Sequence, residues 1–215
     1  MNQMLQKSKI LRKQWVNYSA IYSDEELTIN VFQVMQSWEN GYMKKLAEVA
    51  TSKGGHILEV GFGLGISAGY IQKSFKIKSH TVIECHPDVI SFALNHFKDR
   101  ITRGKMSIIN GFWEDIAPKL KDASFDGILF DSSPLHKETV FFHFFPFFKE
   151  AYRLLKKEGI LTYFSDEPRK ISPQHLKKLR QAGFSRIDYK ICKVNPSRNC
   201  RYWPYKTIIV PVILK

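Results

Sequence analysis

Three glycines at alternate positions, Gly61, Gly63 and Gly65, follow the apolar run His56-Ile57-Leu58-Glu59-Val60 and precede a stretch suited to a helix. A short apolar run of this kind reads as a buried strand. Glycines at its end permit a tight turn and let the backbone come close to a ligand. The next strand candidate, Thr81-Val82-Ile83-Glu84, also ends in an acid. An acid at that place can hold both hydroxyls of a ribose. The spacing departs from G-x-G-x-x-G, because the third glycine comes one residue early. A tight turn without a ligand is the plainer alternative.

Further apolar runs predict strands at 106–109, 125–131 and 160–164, with the second strand at 80–84. Helices are expected at 66–75, 87–97, 139–155 and 173–182, with Pro146 kinking or restarting the third of these. Gly183 is a suitable stop for the last helix. The segments 184–194 and 207–214 alternate enough to form a closing hairpin at a sheet edge. This alternation of strand and helix predicts an α/β fold, a mostly parallel seven-stranded sheet with helices on both faces. Upstream, Val31, Val34, Met35, Trp38, Tyr42, Leu46 and Val49 follow a helical period over 29–50, and the acids at 24–26 suit a helix start. Residues 1–20 read as a short helix or arm. The expected organisation is a helical N-terminal extension or lid over 1–50 and one domain over 51–215.

Composition limits the partners. Lys and Arg total 33 against 20 Asp and Glu, a formal charge of +13. Such a surface attracts anions, yet the paired lysines sit at spacings that fit the outer faces of helices, so nucleic acid is not the expected partner. Cys85, Cys192 and Cys200 form no CxxC pattern, which argues against a disulfide scaffold or structural zinc. A reducing, cytoplasmic compartment is expected. The seven histidines show no metal-ligand spacing, so no metal is expected. No apolar run approaches the roughly 20 residues needed to cross a bilayer, and residues 1–13 lack the apolar core of a secretory signal.

In an open α/β sheet the ligand lies beyond the carboxyl ends of the strands. Glu59, Glu84, Asp131 and the residues after Phe164 all fall at that edge. Asp131 reads either as a turn cap or as a carboxylate that receives a cationic substrate, for which a guanidinium has a well-matched geometry. Glu39, next to Trp38, reads either as a solvent-facing neighbour of a core residue or as a second acid over the same cleft. In Phe112-Trp113-Glu114 the aromatics could stack on an adenine and the acid accept from its amino group; core packing at a helix start is the alternative. His136 is a lesser candidate for a base or substrate contact.

A set of segments makes the reading specific. They are Val34-Met35-Gln36-Ser37-Trp38-Glu39, Leu58-Glu59-Val60-Gly61-Phe62-Gly63, Ile83-Glu84-Cys85, Gly111-Phe112-Trp113-Glu114-Asp115, Phe125-Asp126-Gly127-Ile128-Leu129-Phe130-Asp131, Gly159-Ile160-Leu161-Thr162-Tyr163 and Cys200-Arg201-Tyr202. In this order they resemble the guanidinoacetate N-methyltransferase family, class I enzymes with a Rossmann-like fold that depend on S-adenosylmethionine (SAM). The resemblance implies that Glu59, Gly61, Gly63, Gly65, Glu84, Phe112, Trp113, Glu114 and Met43 bind SAM. It implies that Glu39 and Asp131 grip and serve a guanidino group, and that the backbone near Phe164 and Ser165 receives the far end of the substrate. The segment from Asp166 to Ser172 is shorter than the family's, and Ser132-Ser133 stand where an aromatic is usual. The expected activity is therefore methyl transfer to a guanidino nitrogen of a small molecule such as guanidinoacetate, arginine or agmatine, by a monomer or homodimer. A protein-arginine or RNA methyltransferase is the alternative.

Overall fold

Period-two alternation divides the central strands between two apolar layers. On β4 (Gly55–Val60), Leu58 and Val60 face one layer and Ile57 the other; on β7 (Phe125–Phe130), Ile128 and Phe130 face the first and Leu129 the second. Both strands are buried on both faces, as parallel central strands require. This computed structural model describes residues 2–132 and 144–215, with side chains from residue 9 onward.

The remaining elements of the main body are α2 (Asn40–Ala50), α3 (Ile66–Lys73), β5 (Ile77–Glu84), α4 (Pro87–His96), α5 (Lys98–Thr102), β6 (Met106–Asn110) and α6 (Trp113–Ile116), then α7 (Phe147–Leu154), β8 (Leu155–Tyr163), α8 (Pro173–Gln181), β9 (Arg186–Lys193) and β10 (Thr207–Leu214). Among the described residues the main sheet has seven strands in the order β6-β5-β4-β7-β8-β10-β9. The first five run parallel, while β10 is antiparallel to both β8 and β9. The expected fold class and closing hairpin are thus observed. Chain order reverses between β5-β4 and β7, so a crevice opens at the carboxyl end of β4. The helices α7 and α8 pack on one face, with Phe147, Phe148, Leu154 and Leu179 in its core; α2 and α3 pack on the other through Leu46, Ala47 and Ile71. Pro146 directly precedes α7, so the proline marks a start and not an internal kink. The earlier part of the helix expected over 139–155 lies outside the described residues, as do Ser133 and His136.

The N-terminal region differs from its expectation. α1 (Asn2–Asn17) is a helix, but β1 (Ala20–Tyr22), β2 (Glu26–Ile29) and β3 (Phe32–Gln36) form a small antiparallel sheet where a helix was expected from residue 29. The acids at 24–26 open no helix. Ser23 accepts the N–H groups of Glu25 and Glu26 and turns the chain into β2. Ile29 then pairs with Phe32 across a two-residue turn in which Asn30 takes a φ of 54°. Asparagine tolerates that left-handed value. Leu27 and Ile29 sit two apart and are both buried with Trp15, which explains the strand; a helical period drawn through Val31, Val34 and Met35 mixed its exposed and buried faces. The helical part of the expectation holds only from Asn40.

Candidate active site

The turn after β4 is held open by its glycines. Gly61, Gly63 and Gly65 take φ values of 85°, 54° and 70°, a region that side chains resist. A methyl group on Gly61 would lie 2.0 Å from the carbonyl oxygen of Asp131. The Asp131 N–H in turn donates to Val60 O at 2.8 Å. The glycine turn and the chain leaving β7 are therefore in direct backbone contact. Over Gly63 lies Met35, whose Sδ would be 3.0 Å from an added methyl and accepts the Leu64 N–H at 3.4 Å.

The acids around this turn have distinct settings. Glu59 is fully buried below it: Ser67 of α3 donates to one carboxylate oxygen, and His80 Nε2 lies 2.9 Å from the other. That second contact is within ion-pair range but is not aligned as a hydrogen bond. Glu59 thus ties the turn to α3 and β5 from beneath. Glu84 ends β5 and accepts three backbone N–H groups, from Phe62 at 2.9 Å, Cys85 at 2.7 Å and His86 at 2.8 Å. A carboxylate has about four acceptor positions, so Glu84 is fixed yet keeps capacity for a ribose hydroxyl. The cradle above Gly61 and this fixed acid fit the turn and ribose parts of a SAM site.

The segment after β6 is shared. Trp113 sets its edge against Phe130 and Phe147, with ring centroids 5.8 and 5.3 Å away. It is thereby joined to the core, the plainer of its two readings. Phe112 remains half-buried and carries the Arg12 guanidinium 4.8 Å above its ring. The same guanidinium reaches Glu114 at 3.3 Å and Asp115 at 2.9 Å. Helix α1 therefore grips the turn expected to face adenine. Met43 is buried in the layer under α2 with Leu46 and Ala47.

At the acceptor side, Glu39 is buried at the start of α2. Its Oε1 accepts the Gln36 N–H at 2.9 Å and the Tyr202 O–H at 2.5 Å. Burial pushes its carboxyl up to about 7, with the Tyr202 and Gln36 hydrogen bonds acting the other way. Asp131 keeps partial solvent access, yet burial first, and then the charges of Glu39, Glu59 and Asp166, hold its carboxyl well above the ordinary range. Glu39 and Asp131 thus lie within electrostatic reach of each other, and both favour a cation. Sequence reasoning missed Tyr202 as a partner of Glu39, although it lies in a quoted segment; it comes from the loop between β9 and β10. Gln36 was missed as well. Its side chain joins Trp38, Ser197 and Glu26 and so locks that loop onto the N-terminal sheet. Phe164 donates its N–H to Phe130 O at 3.1 Å, and Ser165 is buried with its hydroxyl on Ile209 O at 2.9 Å. Among the described residues, no group of three His, Cys, Asp or Glu side chains is arranged to hold a metal ion, and no helix is long and apolar enough to cross a membrane.

A glycine turn at the reversal point of this sheet, an acid ending the adjacent strand and the antiparallel closing hairpin are the features of the class I SAM-dependent methyltransferase fold. Residues 3–215 match the family described as guanidinoacetate N-methyltransferase, and the chain belongs to that family. It is 28% identical over 222 residues to protein arginine N-methyltransferase 2 of Yarrowia lipolytica, covering 89% of this chain and 45% of that protein. The protein of the same name from Aspergillus oryzae is 32% identical over 61% of this chain and 31% of its own length. The chain thus spans less than half of either relative. Among solved structures, a spermidine synthase in complex with the transition state analogue AdoDATO aligns with a TM-score of 0.69 at 17% identity, over 92% of this chain and 73% of that one. A SAM-dependent methyltransferase from Archaeoglobus fulgidus aligns with a TM-score of 0.59 at 14% identity, over 84% of this chain and 95% of that one. These structural likenesses establish the fold.

Proposed function

We propose that this protein transfers the methyl group of SAM to a guanidino nitrogen of a small molecule. The reading is supported by Glu39 and Asp131, which lie within electrostatic reach of each other, with no Lys or Arg among the described residues in ion-pair range of either. Both acids are raised by burial, and Asp131 also by the charge of Glu39, and a cation relieves both. A planar guanidinium can answer both through paired N–H donors. When bound, SAM supplies an electrophilic methyl on its sulfonium. The residues of this chain must do the rest. A guanidinium is a poor nucleophile, because its lone pairs are delocalised and its pKa lies above about 12. Glu39, steadied by Tyr202, would hold one edge of that group and localise its electrons. Asp131 would accept the N–H proton as the N–C bond forms, a task suited to a carboxylate with a raised pKa. Alignment of the two reactants contributes several of the about 7–11 kcal/mol available from full pre-organisation.

An arginyl side chain of a protein is the second reading, favoured by the relatives named protein arginine N-methyltransferase 2. The deciding experiment is methyl transfer from labelled SAM to guanidinoacetate, arginine, agmatine and an arginyl peptide, with products assigned by mass spectrometry. A methylated small guanidino compound is expected. Transfer to the peptide alone would favour the second reading, and SAM binding without any guanidino product would sink both.

Residues 1–50 are proposed to close over the 51–215 domain, through the contact of Arg12 with Phe112, Glu114 and Asp115. Deleting residues 1–20 is expected to raise KM for the acceptor, and Arg12→Ala to reproduce part of that rise. Steady-state kinetics check this; unchanged KM values in both variants would remove the lid.

A further inference from the structure

The end of β3 touches both halves of the site. Met35 accepts the Leu64 N–H of the glycine turn, and Gln36, the next residue, donates its own N–H to Glu39 Oε1 at 2.9 Å. Among the described residues, the other hydrogen bond on this carboxylate comes from the Tyr202 O–H, which reaches the same oxygen at 2.5 Å. Oε1 thus takes both bonds, and the acceptor positions of Oε2 are left for an incoming N–H. These two bonds are what act against burial on the Glu39 carboxyl. Burial first, and then the charge of Glu39, raise the Tyr202 hydroxyl, so it stays protonated and remains the donor.

Tyr202 does not owe this position to a helix or strand of its own. It lies in the loop 194–206, between β9 and β10, and side chains of the N-terminal sheet hold that loop. Gln36 is 2% exposed, and its amide makes four hydrogen bonds. Oε1 accepts the Trp38 indole N–H and the Ser197 O–H, each at 2.9 Å; Nε2 donates to Glu26 Oε2 at 2.7 Å and to Asn199 Oδ1 at 3.3 Å. Two donors and two acceptor positions are all that an amide has. Its orientation is set by chemistry, because an indole offers only a donor and a carboxylate only acceptors. Gln33 completes the attachment, donating to Asn199 O at 3.0 Å and accepting the Arg201 N–H at 2.8 Å. Tyr202 is the next residue, and its ring lies 6.0 Å from that of Trp38.

We infer that Gln36 is a positioning residue for Glu39: its main chain supplies one hydrogen bond on Oε1, and its side chain, by latching the loop 194–206, secures the other. That Glu39 then serves an acceptor rests on the proposed function; the control of Glu39 by Gln36 does not. A purely capping role would use the Gln36 N–H alone, whereas here the buried amide is spent on the loop. The titratable groups acting with Glu39 are Tyr202 from the loop and Asp131 beyond β7. Glu26 is linked to it only through Gln36, and Cys200 only through Tyr202, while the Arg201 guanidinium is taken up by Val31 O at 3.3 Å. With the loop released, the Gln36 N–H is the one hydrogen bond left on the carboxylate among the described residues.

The test uses the full chain with 13C-labelled glutamate. The Glu39 carboxyl signal, assigned through Glu39→Gln, is followed against pH beside kcat/KM for whichever of guanidinoacetate, arginine and agmatine is turned over. Gln36→Met keeps the length and the main-chain bond and removes the four side-chain bonds. It is expected to raise the Glu39 midpoint by about one pH unit, the size of one hydrogen bond to a charged group. Tyr202→Phe is expected to do the same, and the double variant no more than either, because both act through one bond. Acceptor kcat/KM should fall about fivefold at pH 7, the share of carboxylate lost by such a move, and recover as pH rises. Ser197→Ala, which cuts the latch from the exposed loop side, should move the midpoint the same way by less. A midpoint moved by Tyr202→Phe but not by Gln36→Met or Ser197→Ala overturns the inference. Additive shifts in the double variant overturn it too, as does a loss of kcat/KM that rising pH does not restore. If Gln36→Met does not fold, Ser197→Ala decides alone. Midpoints that move as expected in a chain that methylates no guanidino compound support the latch and overturn only the proposed function.

Discussion

Replacing Asp131 with asparagine is expected to lower turnover by at least about 10²-fold while leaving SAM affinity nearly unchanged, and Glu39→Gln to do the same. The reason is that both side chains are proposed to hold the acceptor, whereas the groups fitted to SAM are the glycine turn and Glu84. Tyr202→Phe is milder, because it removes one hydrogen bond to Glu39 and leaves the charge. The pH profile provides a second readout. Burial raises the Glu39 carboxyl from 4.5 to about 7, so the free enzyme holds a proton near neutrality that a guanidinium must displace. Acceptor kcat/KM should therefore rise as pH increases through about 7, with the limb belonging to the Glu39–Asp131 pair and not to one acid. Stability runs the other way. The folded state binds the extra proton, so this contribution is fully present below about 4.5 and is lost as pH rises through about 7. Acceptor binding should offset that loss. Isothermal titration with SAM, single-turnover rates and a pH series on the three variants check these points. Normal turnover in either amide variant would remove the two-acid reading.

Gly61→Ala is expected to damage both the fold and the cofactor site. The added methyl would enter a space 2.0 Å from Asp131 O, on a backbone at φ 85°. The obstacle is a carbonyl held in place by the Asp131 N–H bond to Val60, not the end of a flexible side chain. Overpacking and the unfavourable φ together should cost roughly 2–4 kcal/mol. The turn must move to relieve the clash, and Asp131 moves with it. SAM affinity should fall at least about tenfold, and turnover should fall further because the acceptor acid is displaced as well. Denaturant titration and SAM binding measure the two effects. A variant within about 0.5 kcal/mol of wild type, the range of ordinary surface changes, would show that the turn and the Asp131 segment are not coupled as described.

The main sheet was legible because its signals are local. Apolar runs end at Val60, Glu84, Phe130 and Tyr163, and three glycines follow the first; each is read without knowing what lies across the fold. The antiparallel hairpin of β9 and β10 was legible by the same alternation. The small N-terminal sheet was not, because Val31, Val34 and Met35 fit a helical period by chance and the turn at Asn30 carries no glycine. The positions of the strand-end acids were legible to the same extent. Glu59 and Glu84 stand where strand ends place them, but Glu59 proves to be held from beneath by Ser67 and His80. Trp113 proves to be tied to Phe130 and Phe147, and the Phe112–Glu114 turn is engaged by Arg12, 103 residues from Asp115 in sequence.

By itself the sequence determined the α/β class, the glycine turn and the row of acids at the strand tips, because strand and helix periods and glycine's backbone freedom act over a few residues. The tertiary structure alone decided the electrostatics of the acceptor end. Tyr202 meets Glu39 across 163 residues, and the charge of Glu39 reaches Asp131 from a different element, 92 residues away in sequence. The hydrophobic pattern states which faces are buried, but it does not state which charged groups those buried faces bring together; burial moves the Glu39 carboxyl, and burial with the charges of neighbouring acids moves that of Asp131.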